Sequence, residues 1–285
     1  MRKFGILSLF FLTQISFAQV NRFVYQVTMK PNVEDKNDVK IENAFLDISA
    51  EKSIFYSENR VKRDSVMRAN FQSGGARGFN RDQMESLRSN INYSIEKDKK
   101  AQKITFKDRI GRDQYSYEEE RSLDWKILSE TNKIGEYKVQ KAETDFGGRK
   151  WTAWFTTDLP YQDGPYKFSG LPGLVVKVED SSGEYSFDLM KNYKIADFPE
   201  MSTFGNVMKV KRSDYVKQQD KYKQDPSAFM NSQRGGGVGA PMRISGNAGG
   251  GRGPGGREPS ADMRKQMEQR IKDEIKQNSN PIELK

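Results

Sequence analysis

Apolar side chains recur at every second position along much of this chain, and that period settles the fold class before any other feature. Phe23, Tyr25, Val27 and Met29 share one side of an extended segment, as do Ala44, Leu46 and Ile48 in the next, the mark of half-buried β-strands. The pattern resumes at Ile91, Tyr93 and Ile95, continues with Ile104 and Phe106, and passes a turn at Ile110 and Gly111 to Tyr115 and Tyr117, with Trp125 to Leu128 following. Two hairpins complete the series. In the first, Tyr137 and Val139 lead through Asp145, Phe146, Gly147 and Gly148 to Trp151, Ala153 and Phe155; in the second, Leu174, Val176 and Val178 return as Tyr185, Phe187 and Leu189 across Ser181, Ser182 and Gly183. Consecutive hairpins predict a mainly β fold, an antiparallel meander with one apolar face. That face must be covered by helices or by the sheet curling into an open half-barrel. Helical segments are expected at 81–89, at 214–224 between Ser213 and Pro226, and at 261–276, whose Met263, Met267, Ile271 and Ile275 form a narrow stripe suited to docking on the sheet.

The ends and insertions read differently. Arg2 and Lys3 precede the apolar run Phe4 to Leu12, and Ser16, Phe17 and Ala18 close the segment before Gln19, the layout of a cleaved export signal too short to span a membrane. Cleavage is expected between Ala18 and Gln19, with residues 19–285 forming one β-rich domain and no later segment of membrane-spanning length. A Gly- and Arg-rich stretch at about 233–257 has almost no apolar side chain to bury and is expected to be a flexible insertion dispensable for folding. The formal net charge is +9. In an exported protein such a surface faces lipopolysaccharide, anionic lipid or acidic protein and not nucleic acid, although plain solvation of Lys and Arg accounts for it equally.

No cysteine and no histidine occur anywhere. Their absence removes disulfides, thiol nucleophiles, lipidation of an N-terminal cysteine, histidine-based triads and the usual imidazole zinc sites. No cofactor is expected. Only carboxylates, Lys, Tyr, Ser and Thr remain for catalysis, and the acids near recognisable motifs are Glu118, Glu119, Asp163 and Asp180.

The longest connection inside the meander, Leu159 to Gly173, is dense in Gly, Pro and aromatic residues. The pair Pro172 and Gly173 predicts a type II turn over 171–174 with positive φ at Gly173, set up by Gly170, and Gly164 with Pro165 predicts a second corner. The loop is either packed internally or forms a lip over a cavity. As a lip it would offer Pro165, Tyr166, Lys167, Phe168 and Leu171 beside Trp154, which falls out of phase with Trp151, Ala153 and Phe155. Arg149 and Lys167 flank this region and could hold an acidic group.

The hexapeptide Gly170-Leu171-Pro172-Gly173-Leu174-Val175 resembles the signature of the GLPGLI family of exported proteins from one Gram-negative phylum, with Val175 in place of the final Ile. The resemblance extends through Tyr117-Glu118-Glu119, Trp125-Lys126-Ile127, Gly135-Glu136-Tyr137, Gln140-Lys141-Ala142, Gly148-Arg149, Thr152-Ala153-Trp154 and Gly164-Pro165-Tyr166-Lys167-Phe168 to the closing Asn280-Pro281-Ile282-Glu283-Leu284. Where many members carry Cys, this chain has Val139, so it shares no thiol chemistry with them. The family's function is unknown; the resemblance implies an envelope location, periplasmic or secreted, and an association with TonB-dependent outer-membrane transporters.

Together these readings leave three roles. The first is a non-catalytic binding protein for an apolar or amphipathic ligand such as a lipid, lipopeptide or peptide. The second is an accessory subunit of an outer-membrane transporter, and the third a carboxylate-based hydrolase.

Overall fold

Alternation of buried and exposed residues does produce strands. In the computed structural model, which describes residues 19–72, 81–201, 207–229 and 261–284, they are β1 (Val20–Met29), β2 (Lys40–Ile48), β3 (Lys52–Ser57), β4 (Ser94–Asp98), β5 (Lys103–Ile110), β6 (Asp113–Glu118), β7 (Lys126–Ile134), β8 (Tyr137–Phe146), β9 (Arg149–Thr156), β10 (Leu174–Asp180), β11 (Tyr185–Ile195) and β12 (Val207–Lys209). Helices α1 (Glu58–Gln72), α2 (Arg81–Ser86), α3 (Arg212–Gln224) and α4 (Ala261–Gln277) accompany them. The expected leader ending at Ala18 and the insertion at about 233–257 lie outside the described residues.

All twelve strands belong to one sheet, in the order β12-β6-β5-β4-β3-β2-β1-β11-β10-β9-β8-β7. It consists of two antiparallel meanders, β1 to β6 and β7 to β11, joined where β1 pairs with β11 from Val20 opposite Ile195 to Met29 opposite Tyr185. Only β12 runs parallel to its neighbour, β6. The sheet is not closed into a barrel, yet it curls strongly. Lys167 Nζ lies 5.0 Å from the Tyr117 ring centroid on β6 and 5.7 Å from that of Phe146 on β8. Those strands are nine places apart, roughly 43 Å in a flat sheet at about 4.8 Å per strand. Both can reach one ammonium only if the sheet wraps around it.

The concave side holds the main core, with Tyr25, Leu46, Phe55, Ile95, Trp151 and Phe187 each 1% exposed or less. On the convex side Val24, Phe45, Ile54 and Tyr56 form a smaller cluster beneath Val61, Phe198 and Met201. Burial on both faces explains why β3 escapes a period-two search: Ile54, Phe55 and Tyr56 are apolar or aromatic in succession and all buried. Helix α1 is unexpected for a related reason. Its Val61 touches the convex cluster, while Arg60, Arg63, Asp64 and Met67, at helical spacing, face a cavity, so no continuous apolar stripe marks it in the sequence. The expected 81–89 helix ends earlier, at Ser86, and Ile91, Tyr93 and Trp125 precede their strands instead of lying within them.

Candidate functional site

Between β9 and β10 the chain turns by very short hydrogen bonds. Tyr161 N donates to Leu159 O at 2.8 Å, Asp163 N to Tyr161 O at 2.7 Å and Gly173 N to Leu171 O at 2.8 Å, each closing a three-residue turn. The last is centred on Pro172, whose ring fixes φ near the value an inverse γ-turn needs. The expected type II turn is therefore corrected: the positive φ belongs to Gly170, at 91°, and Gly173 has none. Glycine is required at 173 for space. A Cβ there would stand 2.0 Å from the Thr156 carbonyl oxygen and 2.6 Å from its carbon. Gly164 is tight in the same way, with the Phe168 carbonyl oxygen and the Val175 side chain 2.8 Å from a would-be Cβ.

These turns drive the loop into the concave core, so of the two readings the loop is packed internally. Pro165, Tyr166, Lys167, Phe168 and Leu171 are all buried. Phe168 meets Trp151 at 4.7 Å between ring centroids, and Tyr166 meets Tyr93 at 5.5 Å. Trp154 is on the opposite, convex face, level with Lys141 on β8 and Lys177 on β10 and with the Lys141 ammonium 5.9 Å from its ring. The lip proposed from the sequence is not assembled: its loop residues fill the interior, and the out-of-phase tryptophan points away from them. Tyr166 keeps φ of 51°, a left-handed conformation costing a non-glycine residue about 1 kcal/mol or more, offset here by full burial and by its hydroxyl donating to Glu283.

Burial forces the charges of this loop into pairs. Lys167, fully buried, spends its three ammonium protons on Glu283 Oε1 at 2.5 Å, Glu119 Oε2 at 2.6 Å and Tyr117 Oη at 2.8 Å. Arg121 forks onto Glu119, with both contacts at 2.7 Å, and reaches Glu283 at 2.6 Å. Lys97 fixes the other side of the loop through Asp163 Oδ1 and Gly164 O, both at 2.6 Å, and Phe168 O at 3.3 Å. Arg149 donates to Asp180, Glu184, Asn280, Pro281 O and Ile282 O at 2.6–3.1 Å, one acceptor for each of its five N–H groups. So Arg149 and Lys167 do hold acidic groups, but the protein's own. Sequence reasoning quoted the closing segment 280–284 without giving it a role; it is the strap that supplies Asn280 and Glu283 to both clusters, and Leu284 N bonds Gly147 O at 2.6 Å.

Electrostatics keep these carboxylates ionised. Burial pushes the Glu119 carboxyl up, but the adjoining Arg121 and Lys167 outweigh it and hold the group down at about 2. Glu283 is likewise lowered, burial being overcome by Lys167 and Arg121. A depressed folded-state value contributes stability that is present above the ordinary carboxylate range near 4.5 and lost as pH falls from there towards 2. Unfolding free energy measured between pH 6 and pH 2 should accordingly drop most steeply below pH 4.5, and the steep portion should flatten in Glu119→Gln. An equal acid slope in that variant would show that the pair carries no pH-dependent stability.

Over the loop and the strap lies a cavity of about 740 Å³. Tyr166 and Glu283 form part of its floor; Ile91, Tyr93 and Ile110 line the sheet side; Met67 of α1, Tyr215 and Val216 of α3, and Ile271 and Ile275 of α4 line the helical side. Of the stripe on α4, Ile271 and Ile275 face this cavity, so the space lies between them and the sheet. Asp108 accepts the Tyr215 hydroxyl at 2.6 Å and tethers α3 to β5, and burial raises its carboxyl above the ordinary range despite that bond.

A family model described as a protein of unknown function (Porph_ging) matches residues 147–177, the stretch that runs from the β8–β9 turn through the buried loop into β10. No curated protein matches the chain in sequence. Two solved structures of PNGF-II, in the P21 and C2 space groups, are similar to it, at 18% and 17% identity with a TM-score of 0.50 in each case, covering 70% of this chain and 33% and 32% of theirs. The chain therefore spans about a third of PNGF-II, and the likeness is one of fold.

Proposed function

We propose that this chain is an exported envelope protein of the GLPGLI type that binds an apolar or amphipathic ligand without chemistry, and that the ligand occupies the cavity between the curled sheet and α1, α3 and α4. The observation that carries the proposal is the cavity. At about 740 Å³ it falls within the roughly 300–1,000 Å³ of small-molecule sites, which are typically lined by aromatic and aliphatic side chains with a few polar groups. The four acids near the recognised motifs support a non-catalytic role. Glu119, Asp163 and Asp180 are buried counter-ions of Lys167, Lys97 and Arg149, and Glu118 pairs with Lys103 at the surface. A buried carboxylate locked to a cation, as Glu119, Asp163 and Asp180 are, has neither a proton to give nor freedom to reach a substrate. No described helix is long and apolar enough to cross a membrane.

Val216 is half-buried on α3 and faces the cavity, so Val216→Trp should fill part of it without touching the loop or the strap. Titration with 1-anilinonaphthalene-8-sulfonate should show one saturable site in the parent and at least tenfold weaker binding in the variant, at an unchanged melting temperature. Equal affinity in the two proteins would remove the cavity as the binding site.

A further inference from the structure

Helix α1 presents Arg60 and Arg63 to the cavity one turn apart, with Met67 beyond them. Neither guanidinium is ion-paired among the described residues. Arg60 donates a single hydrogen bond, from Nη1 to the Asn92 carbonyl at 3.0 Å, and Arg63 makes none. The nearby acids are otherwise placed: Asp108 is bonded to Tyr215 and to the Arg109 amide, and Asp64, which lines the same cavity at 5% exposure, is engaged in interactions of its own. Burial lowers the Arg60 guanidinium from its ordinary range; Asp64 and Asp108 offset part of that, and Arg63 and Arg109 stand close enough to depress it further. A half-buried cation that faces a cavity with most of its N–H donors unspent is suited to an anion. Apolar wall begins immediately beside it, at Ile91, Ile110 and Met67.

Resting on the cavity reading above, we infer that the ligand is a single-chain amphiphile with an oxyanion head, carboxylate or phosphate, its head on Arg60 and Arg63 and its tail along the aromatic and aliphatic wall. Tyr93, which also lines the cavity and whose hydroxyl has no hydrogen-bond partner among the described residues, stands between the two parts as a further donor. The guanidinium fork suits the two oxygens of a carboxylate or phosphate better than a point-charge ammonium would.

Calorimetry on the full chain at neutral pH would compare decanoate, decyl phosphate, decanol and decyltrimethylammonium below their micelle concentrations, with inorganic phosphate as a head without a tail. Decanoate and decyl phosphate should bind at least tenfold more tightly than decanol, decyltrimethylammonium more weakly still, and inorganic phosphate not measurably at millimolar concentration. Arg60→Gln, Arg63→Gln should reduce decanoate affinity at least tenfold while leaving decanol unchanged. Decanol binding as well as decanoate in the parent, with both lost in Val216→Trp, would overturn the head-group assignment and leave the cavity standing. Binding of none of the four amphiphiles would overturn both. Saturable binding of inorganic phosphate alone would make the arginines a small-anion site and overturn the amphiphile. The parent's ranking of the ligands decides the matter even if the double variant fails to fold.

Discussion

Lys167→Met should destabilise the protein by about 3–5 kcal/mol, because removing one partner of a buried ion pair leaves the other charge uncompensated. Here the change strands two carboxylates, Glu119 and Glu283, and exposes the Tyr117 hydroxyl to the loss of its donor. Arg121 remains on both acids, which keeps the expected loss within that range instead of above it. At about 2–4 °C per kcal/mol for a domain of this size, the melting temperature should fall by roughly 10 °C. Adding Glu283→Gln to Lys167→Met should recover part of the loss, since it deletes one of the stranded charges. A fall of less than about 2 °C in the single variant would mean that the loop is held by its rings alone.

The second large effect is expected at Gly173. Gly173→Ala places a methyl group 2.0 Å from the Thr156 carbonyl oxygen, inside any tolerable contact, so the end of β9 and the start of β10 must part. Overpacking of a tight interior typically costs 1–3 kcal/mol and occasionally more, and a backbone obstacle that cannot rotate away puts this site at about 3 kcal/mol or above. Gly170→Ala is the informative comparison. It has nothing within 4 Å of the added carbon but φ of 91°, so its cost is conformational, about 1 kcal/mol. Urea unfolding of the two variants should rank Gly173→Ala as the more damaging. The opposite ranking would show that residue 173 has room for a side chain and would overturn the steric account of this turn.

Much of the sheet was legible from residue order alone. In β1, β2, β8 and β9 the concave face is apolar and the convex face mostly polar, with Val24 and Phe45 the buried apolar residues on the convex side of β1 and β2, so Phe23, Leu46, Ala142 and Ala153 fall where the period puts them, each 2% exposed or less. Legibility fails where that condition fails. β3 is buried on both sides, α1 sits between a small apolar cluster and a cavity to which it turns Arg60, Arg63 and Asp64, and neither shows a clean period. The site was misread for a different reason. Aromatic residues in a loop shaped by Gly and Pro look alike whether the loop folds outward or inward, and what decides the direction is the curl that brings Tyr117 and Phe146 around Lys167. That Arg149 and Lys167 are buried cations depends on Asn280 and Glu283, 131 and 116 residues further along. No local pattern announces such partners.

The strap has a consequence for when this chain can fold. Asn280 bonds the Lys30 and Pro31 carbonyls at the far end of β1 at 2.8 and 2.7 Å, and Glu283 completes the shell around Lys167. Until residues 280–283 are present, Arg149 and Lys167 would have to be buried with acceptors missing, so a nascent chain gains little by collapsing before then. The sheet itself adds to the delay, since the β1–β11 pair closes a loop of most of the chain, and contacts of such long range belong to folding times of milliseconds to seconds. If the chain is exported as proposed above, that lateness would suit it, because a polypeptide must cross the membrane unfolded before residues 280–283 can close both clusters.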